Sequence, residues 1–181
     1  MKKSLLFFSL LFVFLFATSG GKVFAQEIST SPAVLKVQYD LPYSGILPDN
    51  SLYFLKALRD NVLNLLITDP LKKANYDLLM ADKRLSAASA LLDKGKVDLA
   101  ITTLSKSGNY FSLAIQQASS AQKQGENTDE ILSTLLIASL KHQQIIVQME
   151  EKTNGAARQV LQVSQKRAED LQKSVELLKA K

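Results

Sequence analysis

Residues 70–94 read PLKKANYDLLMADKRLSAASALLDK, and this stretch decides the fold. Leu71, Ala74, Leu78, Ala81, Leu85, Ala88 and Leu92 recur in alternating steps of three and four, which lines them up on one face of a helix over three heptads. Asp69 supplies a side-chain acceptor just before Pro70, whose fixed φ and missing N–H suit the first helical position. Gly95 follows the last apolar position, where a helix commonly ends in a left-handed residue. The spacing therefore predicts a helix of about 25 residues, roughly 37 Å long at 1.5 Å per residue.

The pattern continues outward from this helix. Val97, Ile101, Leu104, Gly108, Phe111, Ile115 and Ala118 form a second stripe, and Ile131, Leu135, Ala138, His142, Ile145 and Met149 a third. Ala157, Leu161, Ser164, Ala168, Leu171, Val175 and Leu178 form a fourth. Gly95, Gly125 and Gly155 punctuate them as turns, and no proline follows Pro70 to interrupt the helices. Asn127 and Glu130 have the spacing of a capping box ahead of Ile131. Small residues along the stripes allow close approach, and short turns favour antiparallel neighbours. The expected fold class is all-α, an up-and-down antiparallel bundle of four long helices preceded by one shorter helix. That shorter helix is capped by Asp49–Ser51, with Leu52, Leu55, Val62 and Leu66 on its inner face. Gly108 interrupts the second stripe, either for close contact with a bulky neighbour or as a kink.

Ahead of the helices, residues 39–48 (YDLPYSGILP) combine prolines, a glycine and alternating apolar residues, so they should run extended and docked. The chain opens differently. Lys2 and Lys3 precede an apolar run from Leu5 to Ala17, and Val23-Phe24-Ala25 fits a signal-peptidase site. The expected organisation is a signal peptide over 1–25 cleaved after Ala25, a flexible tether over 26–38 and a helical bundle domain over 39–181. Export follows, to a secreted, periplasmic or cell-envelope location, with a retained anchor as the alternative. The full chain carries 22 basic and 17 acidic side chains, a net charge of +5. Removing Lys2, Lys3 and Lys22 with the signal leaves 19 against 17, or +2, which is no electrostatic footprint for nucleic acid. The chain has no cysteine, so it holds neither a disulfide framework nor a thiolate metal site, nor the lipidated cysteine of a lipoprotein.

The run from Tyr39 to Asp60, YDLPYSGILPDNSLYFLKALRD, resembles the opening of a family of exported bacterial proteins defined only as a domain of unknown function. Asp69-Pro70-Leu71-Lys72-Lys73-Ala74 and Ala81-Asp82-Lys83-Arg84-Leu85 continue the likeness, which runs to about residue 115. Ser44 and Ser51 stand where the family often has proline. The resemblance implies a secreted or envelope-tethered helical domain and brings no catalytic residues with it.

The chemistry of the chain is sparse. The single histidine, His142, falls on a core stripe, without the Glu-x-x-His or His-x-x-x-His spacing of a metal site. No serine sits in a Gly-x-Ser-x-Gly elbow, and no two glycines after residue 21 lie closer than 13 apart, which excludes a phosphate-binding loop. The expectation is a non-enzymatic interaction or structural module, with no catalytic residues, cofactor or metal. Its partner would be an envelope or extracellular protein, with membrane contact only if the signal segment is retained. Two sets of candidate residues stand out. Tyr43, Tyr53 and Phe54 either dock a partner or seal the end of the bundle, and the neighbouring Leu52, Leu55 and Leu58 favour the seal. Lys72, Lys73, Lys83 and Arg84 form either a solvated helix face or a basic face for anionic polymer or membrane.

Overall fold

A computed structural model describes residues 37–181. The expected signal peptide, and all but the last two residues of the expected tether, lie outside the described residues. The described chain is all-helical: α1 spans Tyr53–Leu66, α2 Pro70–Asp93, α3 Val97–Lys123, α4 Asp129–Glu151 and α5 Gly155–Lys179.

The helix ends follow from local chemistry. Asp69 Oδ1 accepts from the Lys72 amide at 2.8 Å, capping α2 with Pro70 at its first position. At the other end Gly95, at φ +72°, takes the left-handed turn that closes α2. Its amide donates to Leu92 at 2.8 Å and the Lys96 amide to Leu91 at 2.9 Å, the paired bonds of a Schellman motif. The capping box expected at Asn127 does not form. Thr128 occupies the cap position of α4 with no side-chain bond, while Asn127 Oδ1 accepts from the Asp129 amide at 3.0 Å. Asn127 lies one residue too early to cap, and closes an Asx turn instead.

The predicted stripes make the core. Ala74, Leu78, Ala81, Phe111, Leu135 and Ala138 belong to one buried cluster, and Leu85, Ala88, Leu104, Ile146, Met149 and Leu161 to a second. The most extensive packing joins α2 to α3 and α4 to α5, and these pairs meet through α3 on α5 and α2 on α4. Consecutive helices α3 and α4 hardly touch, so their connecting turn joins diagonal and not adjacent positions. Gly108 makes the close contact. A Cβ there would lie 3.3 Å from the Arg167 guanidinium of α5, and α3 runs through it unbroken.

The shorter helix departs from expectation. The apolar residues expected on its inner face point outward: Leu52 at the cap and Leu55, Val62 and Leu66 in the helix are 53, 52, 50 and 69% exposed. Asp60 is the buried residue of α1. Helix α1 is thus turned over relative to ordinary amphipathic packing, with its polar line toward the bundle and its apolar face toward solvent.

Candidate interaction surface

What turns α1 over is a buried cation on α2. Arg84 is 5% exposed, so its charge requires partners. Asp60 of α1 provides one, its Oδ2 3.7 Å from the guanidinium, and Tyr53 accepts a hydrogen bond from Arg84 Nη1. The guanidinium also lies 5.4 Å from the Tyr53 ring centre and 5.9 Å from that of Tyr110 on α3. Arg59 closes on the other oxygen of Asp60 at 2.7 Å, and the Tyr76 hydroxyl donates to the Asp60 carbonyl at 2.7 Å. Lys73 Nζ donates to the Asn64 carbonyl at 3.3 Å near the end of the helix. Burial of an Asp and an Arg together is favourable only when they meet, and this pairing fixes which edge of α1 faces in. Burial raises the Tyr53 hydroxyl above its ordinary range, and burial together with the Asp60 charge pushes Tyr76 up to about 12.

The clasp is not saturated. Arg84 Nε, Asp60 Oδ2 and Asn64 Oδ1 are buried without hydrogen-bond partners. Arg84 and Asn64 border an open groove of about 400 Å³ between α1 and α3, together with Tyr53, Lys106, Asn109 and Tyr110.

The proline-rich segment before α1 docks along α2, as its composition predicts. Tyr39 donates to Asp82 Oδ2 at 2.5 Å, Ser86 Oγ to the Pro42 carbonyl at 3.0 Å, and Lys94 and Lys96 each meet Asp49 Oδ2 at 3.2 Å. Lys56 of α1 reaches back to the Ser44 and Ile46 carbonyls on either side of Gly45, whose φ of +68° makes the bend. Asp82 also meets His142 Nε2 of α4 at 2.7 Å. A carboxylate only accepts, so Nε2 carries the proton, and the Phe111 ring packs edge-on with a centroid separation of 4.9 Å. One buried carboxylate therefore ties the segment to two helices. Burial, then the bond to Asp82, pushes the Tyr39 hydroxyl above its ordinary range.

The candidate residues separate when placed on this frame. Tyr43 is 87% and Phe54 62% exposed, so neither seals the bundle, whereas Tyr53 is half-buried against Arg84. Arg84 belongs to the clasp and not to a basic face; the buried Asp60 withdraws it. Lys72 is exposed, while Lys73 and Lys83 are half-buried. Sequence reading missed Asp60, Asp77 and Asp82 as buried groups. The line Lys56, Asp60, Asn64 at steps of four was visible, but a polar line on a surface helix ordinarily faces water. Asp77, 1% exposed, has an unpartnered Oδ1, and burial raises its carboxyl to about 6, with Lys73 offsetting part of the effect.

These features define an all-α domain of four long helices carrying a fifth, shorter helix clasped by its polar edge. The chain belongs to the domain of unknown function family DUF5667, whose family model matches residues 45–180, from the turn at Gly45 to the end of α5. No curated protein and no solved structure matched the chain.

Proposed function

We propose that this domain is an exported, non-enzymatic interaction module of the cell envelope. In this reading the four long helices form an up-and-down scaffold, and the outward face of α1 is the working surface. One observation carries it: Phe54, Leu58, Leu65 and Leu66 of α1 are 62, 60, 81 and 69% exposed on an element with a polar alternative face. Scattered exposed leucines need no explanation, but a contiguous apolar face held outward by a buried ion pair has the character of a contact site. The basic-face reading is weakened by the withdrawal of Arg84 into the clasp.

A photoreactive side chain placed at position 58 and activated in intact host cells tests this. It should form adducts with an envelope component, while the same group at Val163, exposed on α5, should not. Protein recovered outside the cytoplasm should begin at Gln26. Equal labelling from both positions would remove α1 as the working surface, and a chain still beginning at Met1 in the membrane fraction would replace cleavage by anchoring.

A further inference from the structure

The polar edge of α1 forms one wall of the groove of about 400 Å³ that separates it from α3. Ala57, Asn61 and Asn64 line this groove from α1, and Lys106, Asn109 and Leu113 from α3. Spacings of three and four residues keep each set on one face of its helix. Arg84 joins them from α2, its guanidinium 5.4 Å from the Tyr53 ring centre and 5.9 Å from that of Tyr110, which also line the groove.

The lining is rich in donors and contains no carboxylate. The one acid of α1 is Asp60, which is 3% exposed and outside the lining. The one acid of α3 is Asp98, roughly 12 Å along the helix from Lys106. Lys106 is exposed, and none of the ion pairs among the described residues involves it. Asn109 Oδ1 accepts from Arg167 Nη2 at 2.8 Å, which leaves the Asn109 amide N–H groups to donate. Arg84 has donors to spare: Nε has no partner, and Nη2 stands 3.7 Å from Asp60 Oδ2, beyond hydrogen-bond length.

These groups define what the groove can hold. An unpaired lysine, an arginine short of acceptors and free amide donors call for an anionic acceptor. Its charge is single, because Asp60 already offsets part of the Arg84 field and would repel a dianion such as phosphate. Its body is organic, since the two tyrosine rings, Ala57 and Leu113 offer apolar surface that an inorganic ion leaves uncovered. An open groove covers too little of a small acid to hold it, whereas a peptide can lie along the groove and exchange amide hydrogen bonds with Asn61 and Asn109. We infer that this groove binds an acidic segment of a protein partner, with one glutamate or aspartate carboxylate between Lys106 and Arg84. The site is separate from the outward face of α1, and it stands whether or not that face is a contact surface.

The test uses the chain from Gln26 onward. Every buried member of the two core clusters lies between Ala74 and Val175, and the described segment starts at residue 37, so the truncation removes no described contact. The nitrogen-15-labelled protein is titrated with the capped peptide Ala-Leu-Glu-Leu-Ala and with its glutamine counterpart, Ala-Leu-Gln-Leu-Ala. The glutamate peptide should shift the side-chain amide resonances of Asn61 and Asn109 saturably, and the glutamine peptide should bind about tenfold more weakly, the worth of one charge-assisted hydrogen bond. Lys106→Gln should weaken binding of the glutamate peptide by a similar factor, and Lys106→Arg should restore it. Lys166→Gln, which removes an exposed cation from α5, should bind as wild type does.

The absence of a saturable shift at Asn61 and Asn109 with the glutamate peptide would overturn the assignment. So would equal affinity for the two peptides, or binding that Lys106→Gln leaves unchanged while its circular-dichroism melt matches wild type. Sodium acetate that saturates the same resonances as tightly as the peptide would replace the peptide by a free carboxylic acid, and tighter binding of inorganic phosphate would remove the carboxylate.

Discussion

Replacing Asp77 by Asn should make the protein more stable at neutral pH and remove a pH dependence. Asp77 lies in α2, 1% exposed, with one carboxylate oxygen lacking any hydrogen-bond partner. Desolvation disfavours its charged form, and Lys73, one turn earlier, compensates only in part because its ammonium also donates to the Asn64 carbonyl. The carboxyl is raised from 3.8 to about 6. The folded state therefore holds the proton more tightly than the unfolded chain. Stability contributed by this group is fully present below 3.8 and is lost as pH rises through about 6. At 1.36 kcal/mol for each factor of ten in affinity, the loss approaches about 3 kcal/mol. Asn keeps the shape without the charge, so Asp77→Asn should gain on wild type by up to that amount near neutrality and by little in acid. Urea titrations of both proteins, from below the lower value to above the upper one, read the difference directly. A gap between variant and wild type that does not change with pH would refute the reasoning, because it would show that Asp77 holds its proton equally well in the folded and the unfolded chain.

Other positions give contrasting signatures. Leu85, wholly buried at mid-helix, should cost about 2–5 kcal/mol as Leu85→Ala, and Leu85→Asp should prevent folding; chemical denaturation and circular dichroism check both. Tyr39→Phe removes the bond to Asp82 and should cost about 1.5–3 kcal/mol in a denaturant melt. Gly108→Ala gains about 1 kcal/mol of helix propensity and displaces only the movable end of Arg167, so its melting temperature should equal or exceed that of wild type.

The long helices were legible because their signals are local. Proline at a first turn, glycine after a last one and a stripe repeated every three and four residues each act within a few positions. The docked segment over 39–48 was legible for the same reason, since its prolines exclude helix and its apolar residues require a surface. Two features were not. The diagonal step from α3 to α4 depends on which stripe faces which, and four stripes of similar small residues do not encode their partners one by one. The inversion of α1 depends on a pairing across 24 residues, Asp60 with Arg84. Taken alone, each residue is a surface charge beside an apolar face, and the rule that apolar faces turn inward gives the wrong orientation. A buried ion pair reverses that rule only when both charges are withdrawn together, which a single helix cannot reveal. The same blindness made Arg84 look like part of a basic face and made Phe54 look like a seal.

The central claim is the orientation of α1, and covalent carbene footprinting of the protein, read by mass spectrometry residue by residue, tests it most directly. Phe54, Leu58 and Leu65 should label strongly, while Leu85, Leu91 and Leu135 of the core stay unlabelled under the same exposure. Protection of Phe54, Leu58 and Leu65 to the level of the core in a monomeric sample, with Asp60 and Asn64 reactive instead, would contradict the account.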